Sequence, residues 1–155
     1  MAHNTQAAAG CSTYCTSSTT THGCVPVISC TGVFSASLGS PFVLTVSEVE
    51  GARSGKILYS LAAHPTMPQA PNGNTSYRCL QSPTKSTGLQ FSGGTLNGCD
   101  GSLTVDFSAF MAANPGAPGN PLMAGQTFYA QGVFKDPGAP GTINYSDALS
   151  FTVVP

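Results

Sequence analysis

Several short stretches of the chain alternate between hydrophobic and polar residues with a period of two. In residues 42–47, for example, Phe42, Leu44 and Val46 stand at every second position, and similar alternation returns in 102–107 and 148–154. Successive side chains of a β-strand point to opposite faces, so this pattern places one face of each strand in a core and the other near water. The predicted strands cover residues 25–27, 33–37, 42–47, 56–61, 77–80, 89–92, 102–107, 127–134 and 148–154.

Glycine and proline divide these strands from one another. The 18 glycines and 12 prolines interrupt the chain so often that no window can hold a long amphipathic helix. One helical turn is expected at 110–113, where the following Asn114 and Pro115 end it. Many short strands separated by turn residues favour an all-β fold, and specifically an Ig-like β-sandwich.

The composition excludes two classes of partner. Hydrophobic residues make up 41% of the 155 residues, which is enough for a core, but charged residues make up only 7% and the net charge is −1. Nucleic acid is not expected as a partner, because there is no basic excess to neutralise a phosphate backbone. No run of about 18 apolar residues occurs, so membrane insertion is not expected either.

The cysteines indicate the compartment. Their number is even, which favours disulfides and an extracellular or cell-surface location. The six are Cys11, Cys15, Cys24, Cys30, Cys79 and Cys99. No C-x-x-C pair occurs and the three histidines are scattered, so neither a metal site of cysteine and histidine nor another cofactor is expected. Residues 1–23 are predicted to form a Ser/Thr-rich arm or linker that the disulfides tether, and residues 24–155 to form the sandwich domain.

Six strings of the chain together resemble a known group of domains. In order, they are YCTSSTTTHGC, FVLTVSEVEGARSGKILYS, NGNTSYRCL, NGCDGSLTVDFSAF, FYAQGVFKDPGAP and YSDALSFTVVP. Their order and spacing are similar to an uncharacterised β-rich domain found near the C-termini of large extracellular proteins of planctomycetes and other environmental bacteria. The resemblance implies a secreted module of a larger protein and no particular activity. One departure lies in residues 129–136, where the family tends to carry tryptophan and this chain, which has no Trp, carries none.

The resemblance also suggests a disulfide pairing. It implies that Cys79 bonds to Cys99 and that Cys15 bonds to Cys24, which leaves Cys11 to pair with Cys30. Local closure between Cys11 and Cys15, with Cys24 joined to Cys30, is the alternative.

Catalysis is not expected from the residues available. Ser54 and Ser92 lie in Gly-rich turns without the G-x-S-x-G elbow of a serine hydrolase. Glu48 and Glu50 are two apart, so on a regular strand they would share a face, and Asp100 and Asp106 are a second pair. A glycosidase needs two acids on either side of the bond it cleaves. The favoured interpretation here is that Glu48 and Glu50 lie at a strand end and that Asp100 makes a turn.

Four residues are the candidates for ligand binding, because exposed aromatic rings stack on sugars and amide groups hydrogen-bond to them. They are Tyr129, Gln131, Tyr145 and Asn144. Tyr129 and Gln131 alternate with Phe128 and Ala130, so they are expected on the strand face opposite the core. Calcium held by Asp136, Asn144 and Asp147 is a further hypothesis, against the favoured interpretation that these residues open turns and strands.

The predicted function is that of a non-catalytic extracellular surface or adhesion module of a larger secreted protein. The alternatives are a carbohydrate-binding accessory domain and a self-assembling fibre subunit. The expected partners are polysaccharide or other surface proteins, and the sequence leaves the oligomeric state open.

Overall fold

A computed structural model describes residues 10–64 and 78–155, and these residues form two antiparallel β-sheets with one short helix between strands. The elements in chain order are β1 (Cys11–Tyr14), β2 (Val27–Gly32), β3 (Phe42–Val49), β4 (Ser54–Ser60), β5 (Lys85–Ser86), β6 (Gln90–Phe91), β7 (Gly101–Asp106), α1 (Phe107–Ala113), β8 (Thr127–Lys135) and β9 (Ile143–Thr152). A 3₁₀ turn spans Pro140–Thr142. The predicted all-β fold is confirmed at the level of two antiparallel sheets and three disulfides.

The sheets differ in size. The larger sheet has the order β1-β9-β8-β4-β5, and β6 also pairs with the edge of β4. The smaller sheet has the order β2-β3-β7. Tight alternation in β3 explains its central place in the smaller sheet, because Phe42, Leu44 and Val46 are fully buried while the residues between them are half-buried.

One hydrophobic core lies between the two sheets. Its centre is a cluster of five phenylalanine rings with centroids 5.1 to 5.8 Å apart in the contacting pairs. The rings belong to Phe34, Phe42, Phe107, Phe128 and Phe151. Each such contact adds about 0.5–1.5 kcal/mol beyond the burial of its area. The cluster therefore fixes how the sheets face one another.

The helix begins directly after β7. Asp106 is its N-cap, and the carboxylate accepts a hydrogen bond of 3.2 Å from the Ala109 amide. Phe107 and Met111 bury one face of the helix, and the chain leaves helical geometry at Asn114, before Pro115. The predicted helical turn is confirmed, and the helix starts three residues earlier than expected.

Some strand predictions are wrong in their bounds. The region 33–37 is not a strand, since Ser35 makes only a single bridge to Val154 while Phe34 enters the core. β9 begins at Ile143, five residues before the expected start. For the predicted strand 77–80, Tyr77 lies outside the described residues and Leu80 forms one bridge with Ala63.

Two of the three predicted disulfides are wrong. Cys11 bonds to Cys30 as expected, but Cys15 bonds to Cys79 and Cys24 bonds to Cys99. Cys79 and Cys99 cannot meet, because they lie near opposite ends of β4. Leu80 bridges to Ala63 just after that strand, whereas Gly98 accepts a hydrogen bond from Gly51 just before it.

The N-terminal arm joins the domain's own sheet over part of its length. β1 pairs with β9 in antiparallel register, from Cys11 opposite Phe151 to Tyr14 opposite Ala148. The Cys11–Cys30 bond then links this edge strand to β2 of the other sheet. The boundary expected at residue 23 stays a prediction.

Within the described residues, no helix is long and apolar enough to cross a membrane.

Candidate functional site

The turn at the end of the arm lies over two buried carboxylates. Glu50 is fully buried, and its two oxygens lie 3.0 Å from the backbone amide and from ring Nδ1 of His22. Burial alone would raise the pKa of Glu50, but hydrogen bonds from Thr20 and His22 hold it below its ordinary value. The Arg53 guanidinium, 3.8 Å from Glu50, adds a compensating charge.

Asp136 is the second buried carboxylate. Its Oδ2 accepts hydrogen bonds from the Thr21 amide at 2.9 Å and from the Asn144 side-chain amide at 2.8 Å. Burial opposes ionisation here too, yet the bonds from Thr21 and Asn144 leave the pKa of Asp136 lowered. Ser18 in turn donates to Asn144 Oδ1 at 2.8 Å. The four residues His22, Glu50, Asp136 and Asn144 are named the carboxylate cluster below.

The carboxylate cluster holds the arm in place. Successive backbone amides of the turn, at Thr21 and His22, donate to Asp136 and to Glu50, so the two acids bind the turn as fixed acceptors. Sequence reasoning missed this constellation, because its members stand far apart in the chain and no spacing motif relates them. The only signal in the sequence is that few acidic side chains are present to accept hydrogen bonds.

The structure does not support the calcium hypothesis. Asn144 Oδ1 accepts from Ser18, and Asp147 Oδ1 accepts from the Ile28 amide at 2.8 Å. Asp147 lies half-buried, and this burial raises its pKa. Among the described residues no group of three or more His, Cys, Asp or Glu side chains is placed to hold a metal ion.

The acids considered for catalysis are not paired in the expected way. Glu48 is exposed whereas Glu50 is buried, because Glu48 has a positive φ of 61° and the register of β3 against β7 shifts between Val46 and Val49. Asp100 accepts from the amide and hydroxyl of Thr95 at 2.8 and 2.9 Å, and Asp106 caps α1.

The two serines considered as nucleophiles have other surroundings. Ser92 is buried and donates to the Glu50 carbonyl oxygen at 2.8 Å. Ser54 lies half-buried at the start of β4.

Tyr129 and Gln131 lie on the expected face of β8, but a second layer of the chain covers Gln131. Gln131 is 1% exposed, since its side chain accepts from the Cys79 amide at 3.0 Å and donates to the Ser146 carbonyl at 2.8 Å. Tyr129 is half-buried against Tyr14, with ring centroids 5.9 Å apart. The expected exposure of Gln131 is therefore wrong, because the Cys15–Cys79 bond fixes Cys79 over this face.

Asn144 and Tyr145 point to opposite faces of β9. Asn144 is 1% exposed and belongs to the carboxylate cluster. Tyr145 is 8% exposed and lines a surface groove. Burial raises the pKa of Tyr145, and the nearby Arg78 charge offsets part of that rise. The structure thus places Asn144 on the opposite face of the sheet from Tyr129, Gln131 and Tyr145, and of these three only Tyr145 lines the groove.

The groove on the outer face of the larger sheet is the candidate functional site. It has a volume of about 350 Å³ and is named the outer groove. Strands β4, β8 and β9 supply its floor, and the chain before β6 supplies one wall. The lining residues are Ser54, Gly55, Lys56, Leu58, Leu89, Val133, Phe134, Lys135, Ile143 and Tyr145.

Apolar and cationic side chains meet in the outer groove. Leu58 and Val133 lie on its floor, and Leu89 at its wall is 76% exposed. Lys56 and Lys135 are among the lining residues, and none of the described lining residues is acidic. The surface of the groove therefore offers apolar contact together with positive charge.

Comparisons of this chain with known protein families, with curated proteins and with solved structures find no match.

Proposed function

We propose that this chain is a non-catalytic surface or adhesion module of a larger secreted protein, built on an Ig-like sandwich. The resemblance of its sequence strings to extracellular domains of planctomycetes supports this proposal. The three disulfides fit an oxidising, extracellular environment. They also link the N-terminal part of the chain to β2, to the segment that contains Cys79 and to the loop before β7.

The observation that carries the proposal is the apolar surface beside the outer groove. Leu89 is 76% exposed and Phe91 is 66% exposed. Phe91 stands opposite Ser54 on the neighbouring strand, and Ser54 lines the groove. Two large apolar side chains left in water beside a groove are typical of an interaction site.

A carbohydrate-binding role has weaker support. Its expected platform required Tyr129 and Gln131 at the surface, whereas Gln131 is buried and Tyr129 packs against Tyr14. Only Tyr145 of the four candidates lines the outer groove.

Adhesion can be measured directly on coated beads. Beads that carry the oxidised domain should stay attached to a film of bacterial envelope fragments under flow several times more often than beads that carry reduced and alkylated domain. Equal retention of the two kinds of bead would contradict the proposal.

In parallel, esterase and glycosidase screens should show no turnover. A rate that Glu50→Gln abolishes, in a variant that still folds, would show that the module is an enzyme.

A further inference from the structure

The outer groove has features that select one kind of partner. Its floor is apolar, with Leu58, Val133 and the buried ring of Tyr145 in neighbouring strands. Apolar floors of this kind accept apolar side chains, and the Tyr145 ring is too buried to offer the open aromatic face on which a sugar would stack. A volume of about 350 Å³ is suited to one or two such side chains.

The charge of the groove is positive. Lys56 and Lys135 project from neighbouring strands on the same outer face, since Lys56 pairs with Val133, two residues from Lys135. Arg78 adds a third cation close enough to Tyr145 to affect its pKa. Two of the five basic residues of the chain thus line the groove, and the acidic Asp136 next to Lys135 is fully buried.

The exposed apolar wall is fixed by hydrogen bonds. The side chain of Gln90 donates to the Thr104 carbonyl at 3.0 Å and accepts from the Thr104 amide at 2.9 Å. These two bonds imitate a strand pair with β7 and keep Gln90 turned toward it. Neighbours in an extended chain point to opposite sides, so Leu89 and Phe91 are forced outward. Their exposure therefore follows from the way Gln90 is held.

We infer that the outer groove binds an acidic, extended peptide segment of another protein. One apolar side chain of the segment sits on the floor between Leu58 and Val133, a second packs on Leu89, and its carboxylates pair with Lys56 and Lys135. This inference rests on the proposed function and names the partner of the module. Apolar contacts give the affinity, and the lysines select acidic partners and speed their association.

The test uses the intact oxidised domain and a defined probe. The probe is a labelled heptapeptide, Gly-Asp-Phe-Asp-Leu-Asp-Gly, compared with two peptides in which serine replaces the apolar residues or lysine replaces the aspartates. Binding is followed by amide chemical shifts and by fluorescence anisotropy. We expect saturable binding of the probe alone, with the largest shifts in β4, β8 and β9 and with affinity that falls as salt rises.

Variants of the groove locate the site. Lys56→Glu and Lys135→Glu should each weaken binding by about three- to tenfold, because attraction becomes repulsion. Leu89→Ser should weaken it similarly without loss of stability, since Leu89 is 76% exposed. Lys85→Glu is the matched control and should leave the affinity unchanged. Lys85 pairs with Tyr59, whose side chain faces the core, and it does not line the groove.

Several outcomes would overturn the inference. Equal loss in the Lys85→Glu control would mean nonspecific charge attraction. Equal binding of the serine peptide, or tighter binding of an oligogalacturonate, would assign the groove to polyanions. A dimer that Leu89→Ser abolishes would assign it to a second copy of the chain. Another outcome is that beads that carry a groove variant adhere as well as beads that carry the unmodified domain. In that case the inference fails and the proposed function stands.

Discussion

Gly51 lies in a place where no side chain fits. Its amide donates to the Gly98 carbonyl at 3.0 Å, and a Cβ on it would lie 2.1 Å from the Thr95 carbonyl oxygen and 2.5 Å from the Thr95 nitrogen. Both atoms belong to the backbone, so these clashes can be relieved only if the whole loop before Cys99 moves.

We therefore expect Gly51→Ala to lower the free energy of unfolding by about 1–3 kcal/mol, as overpacking does. Urea denaturation measures this. Gly39→Ala is the control, because a Cβ on Gly39 would meet nothing within 4 Å, and it should be neutral or slightly stabilising. Similar losses in both variants would mean that the loop yields easily.

At the scale of single residues, the sequence predicts the direction of a side chain better than its burial. The alternation in β8 correctly places Tyr129 and Gln131 opposite Phe128 and Ala130. It cannot reveal that Cys79 covers Gln131, because a contact between positions 52 residues apart leaves no local pattern. For the same reason the pairing of His22 with Glu50 could not be predicted.

At the scale of elements, the disulfide between Cys24 and Cys99 joins the arm to the loop before β7. It spans 75 residues, whereas the Cys11–Cys30 bond spans 19. In the chain-entropy account, a bond that closes a longer loop restricts the unfolded chain more. With the Cys15–Cys79 bond intact, the Cys24–Cys99 bond closes a loop of roughly 29 residues, so the two bonds should contribute about 3.6 and about 3.2 kcal/mol.

Removing each bond in turn tests this difference. The double variant Cys24→Ala and Cys99→Ala should lose more stability in urea, without reductant, than the matched double variant Cys11→Ala and Cys30→Ala. The opposite ranking would mean that interactions within the folded arm outweigh loop closure.

Peptide mapping of the unreduced protein should recover Cys15 linked to Cys79.

Elements with regular alternation could be predicted from the sequence, and elements that depend on distant partners could not. β3, β7 and β8 lie within three residues of their expected bounds, since each places every second residue in the core. The region around Phe34 is not the strand that its pattern predicts, because Phe34 enters the core from an irregular chain while Val33 stays exposed. The two wrong disulfides came from the resemblance, whose implied pairing of Cys79 with Cys99 does not hold in a fold that places them near opposite ends of β4.

At the scale of the whole molecule, the carboxylate cluster makes stability depend on pH. The folded-state pKa values of Glu50 and Asp136 are lowered from ordinary values of 4.5 and 3.8. Their contribution is therefore complete above those values and is lost as the pH falls through the lower folded-state values. The raised pKa of Asp147 acts in the opposite sense and returns some stability on acidification.

We expect the free energy of unfolding to fall between pH 5 and pH 3 and Glu50→Gln to flatten this fall. At pH 7 this variant should be less stable by about 1–3 kcal/mol, because a buried acceptor of the His22 amide is weakened. Glu48→Gln changes an exposed acid near the end of β3, two residues before Glu50, and should keep both the stability and the slope of the unmodified domain. Denaturation series at each pH supply the comparison. An unchanged slope in Glu50→Gln would mean that other carboxylates govern the response to acid, and that Glu50 binds the turn equally well in its neutral form.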